Sequence, residues 1–273
     1  MKKQVVSLLL LAAAVMPMQA IEKEDVKPVK NVIVMIPDGT SLATVSIARW
    51  LQWYQDPSKP KLNIDPYLCG TVRTHSSNAP IGDSAPTTSC YMTGQPSRTG
   101  YVSTYPEHDG DNDIYPTDPA RAFQPLTTVL EAGKQLKGKA AGLVFTCEFT
   151  HATPADCSAH SYNRGKYEWI APQMAHNDLD VVIGGGVSLL SEADEAYLKA
   201  NGYNVYRNDL NGMRADKGDK MWALYGDKEM AYDLDRDPAQ QPSIEEMTRK
   251  AIEKFSKDPD GFFLMVEGSK VDW

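Results

Sequence analysis

The sequence predicts an α/β fold, with a mostly parallel central sheet and helices on both faces. The prediction depends on three short apolar runs, at residues 31–36, 141–147 and 262–266. Such runs, bounded by turn-forming residues, are typical of buried strands in a parallel sheet. Helical patterns lie between them, and strands that alternate with helices favour parallel pairing through crossover connections.

Residues 1–20 have the pattern of a secretory signal peptide. Two lysines precede an apolar segment from Val5 to Met16 that is broken only by Ser7. A membrane span needs about 20 apolar residues, so a cleaved signal is favoured over an anchor. We expect export across the inner membrane, a mature chain that begins near Ile21 and, in a Gram-negative source, a periplasmic protein with no stable membrane anchor.

The remaining elements follow in chain order. A capping box at Ser243 and Glu246 marks the start of the last helix. The predicted strands are 31–36, 69–73, 141–147, 181–183 and 262–266. The predicted helices are 41–54, 85–92, 126–135, one from about residue 154, and 243–255.

Charge limits the partners that the chain can bind. The formal net charge is −8, and no run of lysine or arginine marks a nucleic-acid surface. Nucleic acid is therefore not expected as a partner. A small phosphorylated substrate remains compatible if metal ions supply local positive charge.

The four cysteines do not form a recognisable zinc cluster. Their spacing contains no C-x2-C or C-x4-C pair. An exported chain can form disulfides, but four cysteines permit three pairings. Whether Cys147 pairs with Cys157 stays open.

Polar side chains follow three of the predicted strands. Asp38 follows the first strand, His151 and Thr153 follow the strand at 141–147, and Glu267 follows the last one. Because ligands bind at the carboxyl ends of parallel strands, we expect these residues at one site. Carboxylate, imidazole and hydroxyl groups all bind divalent cations. Asp272, five residues after Glu267, is a further candidate ligand.

Ser84 stands at the start of a predicted helix, directly after Asp83. Unpaired backbone N–H groups and the helix dipole favour a bound phosphate there. No neighbouring residue can act as its base, so a nucleophilic Ser84 needs a metal ion to deprotonate it. Arg164, placed on a helix about three turns after Thr153, has the planar fork that matches phosphate oxygens.

These residues lie in five segments that, taken together, resemble the alkaline phosphatase family. The segments occur in the order of the family and span nearly the whole expected mature chain. They are NVIVMIPDGT (31–40), GDSAPTTSCYMTG (82–94), THATPADCSAHSYNR (150–164), DVVIGGG (180–186) and FFLMVEGSKVDW (262–273).

The resemblance implies hydrolysis of phosphate monoesters through a phosphoserine at Ser84, with two zinc ions and one magnesium ion. Arg164 would bind the phosphate, and Asp83 would orient the guanidinium of Arg164. The implied metal ligands are Asp38 between one zinc and the magnesium, Thr153 and Glu267 on the magnesium, and Ser84 and Asp272 on zinc. His151 stands near the magnesium where some members carry aspartate, so the metal preference on that side stays open.

The sequence also departs from the family pattern. Members carry three more zinc-binding histidines and another aspartate, and none of the five histidines here lies in those motifs. We therefore expect residues 21–273 to be the N-terminal portion of a single catalytic domain, incomplete at the C-terminus and inactive alone. A sheet that lacks its later strands would leave an exposed edge and apolar surface.

Two alternatives remain open at this point. A phosphodiesterase or sulfatase of the same fold is one, although such enzymes use threonine or a modified cysteine where Ser84 stands. A non-catalytic secreted metal- or phosphate-binding protein is the other. The physiological substrate and the formation of a homodimer also stay open.

Overall fold

A computed structural model describes residues 29–114 and 116–273, and Asn31–Trp273 forms one compact unit. The expected signal peptide and its cleavage point lie outside the described residues. In the described ranges, no helix has both the length and the apolar character that a membrane crossing requires.

The central sheet has six parallel strands in the order β1-β6-β2-β3-β5-β4. This arrangement confirms the predicted α/β class. The strands are β1 Val32–Pro37, β2 Ala140–Glu148, β3 Val181–Gly185, β4 Asn204–Arg207, β5 Met221–Tyr225 and β6 Phe262–Gly268.

Eight α-helices accompany the sheet in the described residues. The last of them begins at the capping side chain that the sequence indicated, Ser243, whose hydroxyl accepts from the backbone N–H of Glu246. The helices are α1 Leu42–Gln55, α2 Ser84–Thr93, α3 Val129–Lys137, α4 Ala152–Ala155, α5 Tyr167–His176, α6 Glu192–Ala200, α7 Leu210–Ala215 and α8 Ile244–Phe255.

Both faces of the sheet are buried, because side chains alternate along each strand. On one face Leu143 and Phe145 pack in a cluster with residues of α2, α3 and α5. On the other face Val144 packs in a cluster that includes Met247 and Phe255 of α8. The helices therefore cover both faces, as predicted, and the polar strand ends are left at the edge of the two cores.

Three predicted elements are corrected by the structure. Residues 69–73 form no strand. The helix predicted from residue 154 is the single turn α4, and Arg164 lies in the loop between α4 and α5. The first strand is a half-exposed edge, since β1 pairs only with β6 among the described strands and Met35 is 70% exposed.

Residues 187–242 contain elements that the sequence did not predict. They include β4, β5 and the helices α6 and α7. The run MWALY of β5 is fully buried, but five apolar residues cannot be assigned to strand or helix by periodicity alone. Its position between β3 and β4 settles the assignment.

Candidate active site

The predicted ligands meet at the carboxyl edge of the sheet because of the strand register. Glu267 in β6 lies beside Ile36 of β1 on one side and beside Phe145 of β2 on the other. Asp38 follows β1 directly, and His151 and Thr153 follow β2 after a short turn. Residues that are far apart in sequence are thereby brought to one place.

A cleft of about 680 Å³ opens at this edge. Six of the residues singled out from the sequence line it: Asp38, Asp83, Ser84, His151, Arg164 and Asp272. Thr153 and Glu267 are buried, with 1% and 0% of their surface exposed. The cleft therefore combines a helix N-terminus, one arginine and several carboxylates.

Ser84 is the first residue of α2, and Asp83 is its N-cap. The Oδ1 atom of Asp83 accepts a hydrogen bond from the backbone N–H of Ala85 at 2.8 Å. This cap orients the first turn so that Ser84 faces the cleft with the positive end of the helix dipole behind it. The N–H of Thr87 donates to the backbone oxygen of Asp83, and Pro86 has no N–H. A phosphate beside Ser84 would therefore meet the backbone N–H of Ser84 and the positive end of the helix dipole.

Arg164 is held at both its backbone and its guanidinium. Its backbone N–H donates to Gly100 at 2.7 Å, and Nη1 lies 3.2 Å from Oδ1 of Asp83. Nη2 lies 3.0 Å from Nε2 of His151. A guanidinium only donates, so Nε2 accepts. Burial and the nearby charge of Arg164 lower the pKa of His151, which keeps the imidazole neutral.

Several buried polar atoms at the strand ends have no hydrogen-bond partner. They are Oδ2 of Asp38, Nδ1 of His151, Oγ1 of Thr153 and Oε1 of Glu267. Buried polar groups are rarely left unpaired in proteins. The three oxygens fit a divalent cation such as magnesium, whereas Nδ1 of His151 carries the ring proton while Nε2 accepts from Arg164.

The carboxyl groups at this edge are buried and lie close enough to repel one another. Burial and then the nearby Asp38 raise the pKa of Glu267 to about 7. Burial and then Asp272 raise the pKa of Asp38. A bound cation would stabilise both ionised forms.

Gly39 allows the close approach of Asp272 to the loop after β1. Its φ is +60°, and a Cβ atom there would lie 1.9 Å from Oδ1 of Asp272. Only glycine fits this position without displacing the carboxylate. Trp273 follows, and its ring meets that of His151 edge to face at 5.5 Å between centroids.

Cys147 is the site residue that the sequence did not predict. Its Sγ lies 3.3 Å from Oε2 of Glu267. All four cysteines are unpaired thiols, so Cys147 and Cys157 are not bridged in this structure. The available signal was its place near the end of a predicted strand, where Asp38 and Glu267 also stand.

Comparisons with known proteins agree with this fold. The family model described as Alkaline phosphatase matches residues 29–273. Alkaline phosphatase 3 of Bacillus subtilis (strain 168) is 34% identical over 260 residues, covering 90% of this chain and 52% of that protein. The chain thus spans about half the length of this curated relative.

Solved structures match over a similar extent. A cold-active alkaline phosphatase from the psychrophile Shewanella sp. superposes with a TM-score of 0.75 and 28% identity, over 89% of this chain and 57% of that one. A histidine-to-aspartate variant of TAB5 alkaline phosphatase with Mg bound in its M3 site has a TM-score of 0.68 and 26% identity, over 89% and 65% of the two chains. The chain belongs to the alkaline phosphatase family.

Proposed function

We propose that this protein hydrolyses phosphate monoesters, with Ser84 as the nucleophile and small phosphorylated molecules as substrates. One observation carries the proposal: Ser84, Arg164 and the carboxylates of Asp38 and Asp272 line the same cleft. A nucleophile, an anion-binding fork and candidate cation ligands are what phosphoryl transfer requires. Family membership supports phosphatase chemistry in general.

The charge of the cleft supports a role for metal ions. Asp38, Asp83 and Asp272 line it together with the single cation Arg164. Such a cleft would repel a phosphate dianion unless bound cations neutralise the carboxylates. We propose two zinc ions beside Ser84, held in part by Asp38, Ser84 and Asp272, and one magnesium ion held by Asp38, Thr153 and Glu267 near His151.

The residues divide the reaction between them. The Ser84 hydroxyl releases its proton to solvent, and Oγ attacks phosphorus in line with the leaving oxygen. The bond from phosphorus to that oxygen breaks, and the oxygen takes a proton from water and departs as the alcohol. Arg164 and the N-terminus of α2 stabilise charge on the other phosphate oxygens. Water then attacks the phosphoserine and regenerates Ser84, releasing phosphate. When bound, zinc would lower the pKa of the serine hydroxyl and of water and would stabilise the leaving oxygen.

The experiment compares two serines that both stand at helix starts. In the active enzyme, Ser84→Ala should lower turnover of an aryl phosphate by several orders of magnitude. Ser243→Ala, at the cap of α8 and outside the cleft, should cost about 1 kcal/mol of stability and leave turnover unchanged. Near-normal turnover of Ser84→Ala would remove Ser84 as nucleophile.

The same assay separates the rival chemistries. Aryl phosphate should be hydrolysed far faster than the bis-aryl phosphate or the aryl sulfate. A preference for the diester or the sulfate would assign a different activity to the same fold. Loss of all three activities with retained phosphate binding would indicate a binding protein.

We further propose that residues 1–20 direct export. The motivation is the lysine pair followed by the apolar segment from Val5 to Met16. N-terminal sequencing of the mature protein should begin near Ile21, in an extracytoplasmic fraction. A mature protein that begins at Met1 would contradict export by cleavage.

A further inference from the structure

We propose that Cys147 and His151 complete the cation site at Glu267, and that this sulfur-containing site takes a thiophilic divalent ion, such as Zn²⁺ or Co²⁺, in preference to the Mg²⁺ that the family pattern implies there. One potential ligand atom from each residue lies within 4.8 Å of the other two. The binding of the ion is argued from geometry alone, and only the part that the ion would play in hydrolysis rests on the proposed function. It adds a sulfur ligand that the family resemblance does not assign.

The sheet places the three residues together. Cys147 is in β2 and Glu267 in the adjacent β6, while His151 follows β2 after a tight turn. Sγ of Cys147 lies 3.3 Å from Oε2 of Glu267, and both side chains are fully buried. Ligands from the ends of rigid strands hold their separation better than ligands from loops.

A second observation points to a cation at this position. Oε1 of the fully buried Glu267 has no hydrogen-bond partner, and the same is true of the nearby Oγ1 of Thr153. Among residues 29–114 and 116–273, none of the ion pairs involves Glu267. A buried carboxylate without a cationic partner is costly, and a bound metal ion removes that cost.

The donor set decides which ion fits. Magnesium prefers oxygen ligands in an octahedral arrangement with several waters. Sulfur, nitrogen and oxygen donors in a closed pocket suit zinc or cobalt instead. Ligand atoms on one tetrahedral zinc ion lie roughly 3.5 Å apart at usual bond lengths, so a modest side-chain rotation closes the site.

Binding has a defined proton balance. The Cys147 thiol releases its proton to solvent when sulfur coordinates the ion. Coordination through Nδ1 of His151 requires its proton to move to Nε2. That nitrogen then ceases to be an acceptor, so the contact with Arg164 must open.

Cobalt titration of the metal-free chain tests the proposal without any assay of hydrolysis. All proteins carry Cys69→Ser, because Cys69 is an exposed thiol. The chain should show a near-ultraviolet sulfur-to-cobalt charge-transfer band that saturates at one equivalent and survives a large excess of Mg²⁺. The band should be lost in Cys147→Ser and kept in Cys157→Ser, a matched control whose thiol is equally buried.

A zinc X-ray absorption measurement covers the case in which Cys147→Ser fails to fold. The chain with native Cys147, loaded with one equivalent of zinc, should show a sulfur neighbour at about 2.3 Å. A shell of oxygen and nitrogen alone, or a cobalt band that persists in Cys147→Ser, would overturn the proposal. Neither readout depends on phosphatase activity, so the metal-binding proposal and the proposed function can fail independently of each other.

Discussion

Asp83 and Arg164 are linked through a single carboxylate oxygen that also caps a helix. Oδ1 of Asp83 lies 3.2 Å from Nη1 of Arg164 and 2.8 Å from the backbone nitrogen of Ala85. The start of α2 and the anion-binding arginine are therefore positioned by the same group. This link ties the orientation of Ser84 to that of Arg164.

Substitutions at Asp83 should separate its two roles. Asp83→Asn keeps a good N-cap, so the melting temperature should hardly change. The same variant loses the partly exposed ion pair with Arg164, and phosphate binding should weaken about fivefold. Asp83→Ala removes the cap as well and should cost about 1 kcal/mol more of stability. Thermal melts and phosphate inhibition constants check this. Equal destabilisation by both variants would contradict the separation.

Arg164→Ala should act on phosphate and leave metal binding unchanged. The loss of a charged donor should cost roughly 2–4 kcal/mol of transition-state stabilisation, which appears as a lower kcat/KM. It should also weaken inhibition by inorganic phosphate. Arg98→Ala is the control, because Arg98 is also ion-paired, to Glu107 and Asp109, but lies outside the residues that line the cleft. Unchanged phosphate inhibition in Arg164→Ala would show that Arg164 does not contact phosphate.

Glu267→Gln should stabilise the metal-free protein in a pH-dependent way. The folded pKa of Glu267 is about 7, against an ordinary value of 4.5. Below pH 4.5 both states are protonated and the variant should match the wild type. As pH rises from 4.5 to 7, the carboxyl group loses its proton in the unfolded chain before it does so in the folded one. The free energy of unfolding of the wild type therefore falls by up to about 3 kcal/mol relative to that of Glu267→Gln.

Denaturant unfolding in a chelator at pH 5 and pH 8 measures that difference. Glu245→Gln, on the exposed side of α8, should show no comparable change with pH. Added metal ion should reverse the order, because glutamine cannot supply a carboxylate ligand. Parallel pH profiles of wild type and Glu267→Gln would contradict the raised pKa.

Residues 21–273 tested alone should show little hydrolysis of an aryl phosphate. Each catalytic zinc needs about three protein ligands. The described cleft offers the carboxylates of Asp38 and Asp272 beside Ser84, while that of Asp83 is engaged by Arg164 and by the start of α2. Zinc should therefore bind weakly next to Ser84. Robust hydrolysis that a chelator abolishes would show that the zinc ligands are complete within these residues.

The sequence alone was sufficient for the α/β class, for the three strands that carry site residues, and for Ser84 at a helix start. These features depend on local patterns. An apolar run between turn residues and a capping side chain before a helix are specified by neighbours in the chain. Most of the candidate site residues were found because a family resemblance joined signals that were each weak alone.

Only the tertiary structure determined the pairing of β5, the exposure of β1 and the loop position of Arg164. It also brought Cys147 to Glu267, a contact that no spacing in the sequence indicates. These features depend on register between strands that are distant in sequence. A parallel sheet is closed by long crossover connections, so the residues that meet at its carboxyl edge follow from the whole fold.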